Sequence, residues 1–416
     1  MLTFNKVPKS RTKSVFVKEE KGKRTGGVMD FIDLSTQQKQ IRETLVSNIN
    51  KVLSHGQYIN GPEVQKLEQV LAAYVGSNYA IGCASGTDAL LMSLMAFDVK
   101  AGDAIFTTPF TFIATAEVVW FLGAVPVFVD VDARTFNMDP AQLKAAIEAF
   151  ESRNSKIYPL PCWELIKSTT TAKGVIAVDL YGLPADYERI NKIASDHNLF
   201  VIEDAAQSFG GECFGKKTCS LADIGCTSFF PAKPLGCYGD GGMCFTNNEM
   251  LAGTIESLRV HGKGREKYDN VRIGINSRLD TFQAAILLSK FEIFQEEIEK
   301  RQEVARRYTE LFRTNGSVLT PLVPDEMKSA WAQYTVCFEG EDSRKSCQKK
   351  LAKESIPTGI YYPKPLHLQT AFAKLGYKEG DFDVSESLTK RILSLPMHPY
   401  LTLEEQARVV TTLSEA

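Results

Sequence analysis

The feature that most limits the folds open to this chain is a rhythm. From Asp30 to about Arg259, short apolar runs alternate with helical patterns. Asp103–Thr107, Val125–Asp130, Gly174–Asp179 and Phe200–Glu203 read as strands. Between and after them, helical segments fall near Thr115–Phe121, Pro140–Phe150, Tyr187–His197 and Glu249–Val260. Runs this apolar belong to strands buried on both faces. The pattern therefore predicts an α/β fold with a mostly parallel sheet covered by helices on each side. Cys226–Phe230 and Gly242–Thr246 predict a further pair of strands bracketing a Gly-rich turn. The stretch Glu151–Lys173, with Pro159, Pro161 and Cys162-Trp163, breaks the rhythm as a local excursion with no functional reading.

With 416 residues the chain is long enough for one large domain and a smaller one. From Leu279 to Leu311 a helical pattern runs with few breakers and many charges, as in a helix linking two domains. Beyond it the remaining length suits an α+β unit, with a strand at Ala332–Phe338 and helices at Cys347–Glu354 and Thr402–Leu413. The expected division is a basic extension over 1–28, a large domain over 29–285, and a linking helix with a small domain over 286–416.

Residues 1–28 carry eight Lys/Arg against two Glu, although the whole chain has a net charge of −2. They hold few large apolar residues and end in Thr25-Gly26-Gly27, so disorder is expected. They lack the continuous apolar stretch of a secretory signal. An overlong start and a basic interaction tail both stay open. The longest apolar stretch, Val118–Val129, is broken by Gly123 and Pro126 and is too short to span a membrane. Nine cysteines without a C-x-x-C pair suit buried thiols in a reducing compartment, and five isolated histidines offer no metal-ligand spacing. A cytoplasmic, metal-free protein is expected, and the small net charge argues against nucleic acid as its main partner.

Two residues carry the chemistry. Lys233 follows an apolar strand, has Pro and aromatic neighbours, and is followed by four Gly within nine residues. A lone lysine is ordinarily a solvated charge, but this one can reach a pocket floor and form a Schiff base with a carbonyl cofactor. Asp204 ends the apolar run Leu199–Ile202-Glu203, so it should sit at the carboxyl edge of a parallel strand, where open α/β sheets bind ligands. A strand-end Asp also serves as a plain helix cap. Together the two are the groups that pyridoxal phosphate (PLP) chemistry needs, a lysine for the carbonyl and a carboxylate to keep the pyridine nitrogen protonated. The segment Tyr79–Leu90 reads as strand, small-residue turn and helix. It would aim the N–H groups of Gly86 and Thr87 at an anion, and alone it is also an ordinary capping sequence.

The blocks Ser85–Leu90, Phe110–Thr115, Glu203–Gln207, Ser228–Lys233 and Gly274–Asp280 resemble those of PLP-dependent sugar aminotransferases of the DegT type. The likeness runs from about Asp30 to the C-terminus. Pro231–Gly242 and Leu393–Tyr400 are most similar to the subgroup that aminates C3 of UDP-2-acetamido-2-deoxy-3-oxo-glucuronate. The resemblance implies a fold-type I PLP-transferase with a seven-stranded type of sheet and a smaller C-terminal α+β domain. It implies PLP on Lys233, Asp204 at the pyridine nitrogen, Gln207 near the ring hydroxyl, Phe112 stacked on the ring, and Gly86, Thr87 and Ser228 at the phosphate. It also implies Asn276 reaching the phosphate of a neighbouring subunit, and hence a homodimer with composite sites. Arg278 becomes a candidate for a sugar carboxylate, with a local ion pair as the alternative. Tyr361, Tyr362 and His367 belong to an aromatic–Pro–basic loop that is expected to cover the substrate. At Tyr361 the uronate subgroup can carry His, which leaves the exact sugar open.

Relatives that deoxygenate the sugar replace the lysine with His, so Lys233 points to amino transfer, with glutamate as the implied donor. The expected function is amination of a UDP-linked 3-oxo sugar for surface polysaccharide, such as a lipopolysaccharide O-antigen. The alternatives are a C4 aminotransferase on a UDP- or dTDP-4-keto sugar and a non-catalytic PLP-binding regulator. Neither the spacing of Gly239–Gly242 nor that of His261–Gly264 matches a dinucleotide or P-loop fingerprint.

Overall fold

The structure, a computed structural model, describes residues 29–266, 268–315 and 318–414. The basic 1–28 segment lies outside the described residues. A seven-stranded sheet forms the large domain from β1 (Tyr79–Cys83), β2 (Asp103–Thr107), β3 (Val125–Phe128), β4 (Thr171–Val178), β5 (Phe200–Asp204), β6 (Ile224–Ser228) and β7 (Gly242–Thr246). Their spatial order is β1-β7-β6-β5-β4-β2-β3. β7 is antiparallel to both its neighbours, and every other pairing is parallel.

Successive strand residues point to opposite faces, and here both faces are apolar. Phe106, Val175 and Val201 enter one core with Leu143, Ile147 and Ile190. Their neighbours Ile105, Ile176 and Ile202 enter another with Leu90, Leu94 and Ile255. This two-sided burial is why the strands read as continuous apolar runs. The first core is roofed by helices Pro140–Ser152 and Tyr187–Asp196, and the second by Gly86–Ala96 and Glu249–Leu258.

The excursion before β4 is shorter than expected, because β4 starts at Thr171 rather than Gly174. Tyr158 and Ile166 share a core with Leu366, Phe372, Leu375 and Phe382, and the Cys162 N–H donates to the Leu375 carbonyl at 2.8 Å. The excursion is thus a cradle for residues 366–382.

A single helix, Thr281–Asn315, runs across the expected 285/286 boundary. Its C-terminal half supplies Val304, Tyr308 and Phe312 to the small-domain core, against the antiparallel pair Tyr334–Cys337 and Ile392–Leu395. Helices Glu341–Lys353 and Leu403–Ser414 pack there as well, the first starting six residues before the sequence suggested. The charges on the long helix do not all face solvent. Lys290, Glu297 and Arg301 are buried, with Gln37 of helix Leu34–Gln40 and Tyr400 bonded to Glu297. Among the described residues no helix is long and apolar enough to cross a membrane.

Candidate active site

All the parallel strands, and β1 with them, end at one edge of the sheet, and a cavity of about 490 Å³ opens there. Each wall comes from a strand end or the turn after it. Ser85, Gly86 and Thr87 follow β1, Phe112 and Thr115 follow β2, Asp204 ends β5 with Gln207 in the turn after it, and Ser228 ends β6. Lys233 lies in the turn between β6 and β7, which is clamped where Ser228 pairs with Gly242. Tyr361 and Tyr362 close the cavity from the C-terminal part.

Asp204 is buried, and its Oδ2 accepts the Thr115 hydroxyl at 2.8 Å. Burial pushes its carboxyl up, while Thr115, the Lys233 charge and the Ala206 N–H hold it down. Burial likewise pulls the Lys233 amine below the usual lysine range, against the Asp204 charge. A depressed lysine is neutral more of the time, which suits a nucleophile and proton carrier.

Ser85 caps the helix after β1 by accepting the Asp88 N–H at 3.0 Å. Gly86 begins that helix, and a Cβ there would lie 2.7 Å from the Ser228 Cβ. Bare backbone at a helix N-terminus thus faces a serine that is itself available to donate, since its Oγ only accepts, from Phe230 N–H at 3.3 Å. Phe112 is a large ring 54% exposed into the cavity, with its centroid 6.2 Å from that of Tyr362. Gln207 accepts from the Tyr181 N–H at 2.7 Å, which turns its amide nitrogen towards the Tyr362 hydroxyl. A buried carboxylate for a ring nitrogen, a lysine for a carbonyl, an open aromatic face and an anion cradle together fit PLP. Lys233, Asp204, Gln207, Phe112, Gly86, Thr87 and Ser228 are the residues that would hold it.

Gly86→Ala tests the cradle. The added methyl must push the helix off Ser228, and we expect PLP affinity to fall by about tenfold or more, read by fluorescence titration of the cofactor-free protein.

Two expected residues, His367 and Arg278, lie outside the cavity, as does Asn276, which is expected to serve a neighbouring subunit. His367 does not face the cavity. It is buried against Phe382, with Nε2 3.0 Å from Glu386, in the core that the excursion completes. Asn276 is exposed and lines no wall of this chain's cavity, although the Ser277 hydroxyl accepts the Ala84 N–H at 3.2 Å beside it. Arg278 also stays outside. Its Nε is buried without a partner, and no ion pair to it occurs among the described residues. Thr115, absent from the sequence reading, holds Asp204. Its one signal was its place in the Phe110–Thr115 block. Ile32, Asp240 and Gln333 also line the cavity.

Behind Asp204 lies a pair of buried carboxyls. Asp179 accepts from Ala185 N–H, Tyr187 OH and Ser208 OH, and Glu203 accepts from the Cys219 and Leu221 N–H groups. Burial raises Asp179 to about 7, and burial together with the Asp179 charge raises Glu203 well above the carboxylate range. The native protein therefore holds protons that the unfolded chain has already released. The stability this contributes is complete below the ordinary carboxylate range and is lost as pH rises through about 7. We expect the unfolding temperature to fall between about pH 5 and pH 8, and less steeply in Asp179→Asn. An equal slope in the variant would assign the effect to other groups.

Residues 39–414 match the family model described as the DegT/DnrJ/EryC1/StrS aminotransferase family. The chain is 47% identical over 374 residues to UDP-2-acetamido-2-deoxy-3-oxo-D-glucuronate aminotransferase of Pseudomonas aeruginosa, covering 90% of this chain and 96% of that one. Among solved structures, a DegT DnrJ EryC1 StrS aminotransferase from Brucella abortus matches with a TM-score of 0.86 and 48% identity, over 92% of this chain and 98% of that one. NtdA from Bacillus subtilis with bound cofactor PMP matches at a TM-score of 0.79 and 28% identity, over 93% and 83%.

Proposed function

The chain belongs to the DegT/DnrJ/EryC1/StrS aminotransferase family, and on that premise we propose that this PLP-dependent enzyme aminates C3 of a UDP-linked 3-oxo sugar. The sugar we favour is UDP-2-acetamido-2-deoxy-3-oxo-glucuronate, after the relative from Pseudomonas aeruginosa. Glutamate is the amino donor in this reading, and the product serves surface polysaccharide synthesis in the cytoplasm. The observation that carries the proposal is the meeting of Lys233 and Asp204 in one cavity beside a bare helix N-terminus.

PLP supplies, when bound, a reactive carbonyl and a ring that accepts electrons. The chain's own residues do the rest. Lys233 would hold the cofactor, and its depressed amine would serve as the proton carrier. Asp204, kept in place by Thr115, would hold a proton on the cofactor's ring nitrogen by its negative charge. Phe112 would offer one open ring face to a flat group, with the tilted Tyr362 ring beside it.

The site is completed by a second copy of the chain in this proposal. Tyr58, Ile59, Val271 and Ile273 leave large apolar surface exposed on segments bridged to or directly preceding Asn276–Asp280. An exposed apolar strip of this kind favours a partner surface. Asn276 and Arg278 would then serve the partner's cavity, with Arg278 met by the uronate carboxylate.

The test is a visible spectrum of the PLP-loaded protein with glutamate, then with candidate UDP-3-oxo sugars. Loss of the cofactor band with glutamate and its return with one keto sugar alone would support the proposal. A band unmoved by any donor would favour a non-catalytic PLP-binding protein.

A further inference from the structure

Strand β1 stands at the edge of the sheet, with β7 on one side and no strand on the other among the described residues. Backbone groups at such an edge ordinarily face water. Gly82 of β1 has both of its groups bonded to side chains instead. Its N–H donates to Glu68 Oε1 at 2.8 Å, and its carbonyl accepts from Arg259 Nη1 at 2.8 Å. The same Nη1 donates to Glu68 Oε1 at 2.5 Å, which closes a ring of three bonds. Two residues on, the Ala84 N–H donates to the Ser277 hydroxyl at 3.2 Å. Side chains thus take the place of the missing neighbour strand.

The brace is assembled from distant parts of the chain. Glu68 lies in helix Pro62–Val75, and Arg259 is the C-cap residue of helix Glu249–Leu258. The Arg259 and Glu68 side chains are only 13% and 14% exposed, so solvent screens their attraction less than it would a surface pair. Bare backbone at Gly82 lets them come this close, since a Cβ there would lie 3.4 Å from Glu68 Oε1 and 3.3 Å from Leu279. The Arg259 carbonyl also accepts the Ser277 N–H at 3.0 Å, so one residue anchors the contact at Gly82 and the one at Ala84. Neither Glu68 nor Arg259 lines the active-site cleft.

The anion cradle begins directly after β1, and on its inner side it has no slack. A Cβ on Gly242 of β7 would come within 2.4 Å of the Ser85 carbonyl, and one on Gly86 within 2.7 Å of the Ser228 Cβ. Pressed on one side, the cradle needs a stop on the other. We propose that Glu68 and Arg259 are positioning residues for the cofactor phosphate, holding the open edge of β1 so that the N–H groups of Gly86 and Thr87 stay aimed at the anion. This deepens the PLP reading above and rests on the cradle assigned there. A selective defect follows. The cofactor's ring and carbonyl are met by Asp204 and Lys233, on β5 and in the turn after β6, so loosening β1 costs affinity for the phosphate and spares the rest.

The experiment compares PLP with pyridoxal, which has the same ring and carbonyl but no phosphate. Each is titrated into cofactor-free protein and read by absorbance, with Lys233→Ala as the blank for surface lysines. We expect Arg259→Met to weaken PLP binding by about tenfold or more and to leave pyridoxal within about twofold of wild type. Arg259→Lys should recover most of the PLP affinity, because both guanidinium bonds leave from one nitrogen and an ammonium carries three hydrogens. Glu68→Gln keeps an acceptor for Gly82 but loses the charge, and should weaken PLP by about threefold. A folded Arg259→Met protein that binds PLP as wild type does, or that loses PLP and pyridoxal in equal measure, overturns the proposal. If that variant does not fold, Glu68→Gln is read in the same way. The reading of Lys233 is judged on the wild-type titration, and the brace on each variant's ratio of PLP to pyridoxal affinity, so the two failures are distinct.

Discussion

Lys233→Ala should abolish amino transfer, with turnover reduced by about 10⁴-fold or more, while the protein keeps its fold. The size follows from two duties resting on one atom. The amine must bond the cofactor carbonyl and must then move a proton, and among the described residues no other amine lines the cavity to replace it. Retention of the fold follows from the turn itself. Lys233 N–H donates to the Phe230 carbonyl at 2.9 Å through the backbone, and Phe229 and Cys237 close the turn by a second backbone bond at 2.8 Å. None of these bonds uses the lysine side chain. Lys233→Arg should be as inactive, since a guanidinium does not give up its proton at usable pH. Steady-state turnover measured beside an unfolding curve checks both, and measurable amino transfer in either variant would sink the proposed role.

Asp204→Asn should bind PLP but slow turnover by about 10²- to 10³-fold. The amide can still accept from Thr115 at the same position, so the pocket keeps its shape. What it loses is the negative charge, and with it the means to keep the ring nitrogen protonated. Thr115→Val should act in the same direction but more weakly, because it frees Asp204 without neutralising it. Near-normal turnover in Asp204→Asn would mean that another group governs the ring nitrogen.

The readable part of this site was the part held close to strand ends. Lys233 and Asp204 stood out because each follows an apolar run and lies beside small residues, and a strand end fixes where its next residue points. The rest depended on partners remote in the sequence. Thr115 means little until Asp204, 89 residues on, is placed against it. His367 looked like part of a substrate loop, yet Glu386 and Phe382 draw it into a core that only the 151–173 excursion completes. Nothing in the local pattern marks the charges at 290, 297 and 301 as buried. Glu297 and Arg301 are buried because helix Leu34–Gln40 and the 398–400 turn cover them, and Lys290 because its amine lies over the Tyr238 ring, and periodicity alone does not reveal such covers. The sheet was legible to within a few residues at each strand end, since two-sided burial writes itself into its central strands.

The reversed strand β7 has a consequence for synthesis as well as for shape. β1 is an edge strand whose sole sheet neighbour is β7, with Tyr79 opposite Thr246. On the ribosome, the phosphate cradle that follows β1 must therefore wait for about 160 further residues before its strand has anything to pair with. The lysine turn arrives just ahead of β7, so cradle and lysine lock together in the same late event. A nascent chain halted before Thr246 would carry a partial sheet but no cofactor site, and vitamin supply would have nothing to act on until that strand is made.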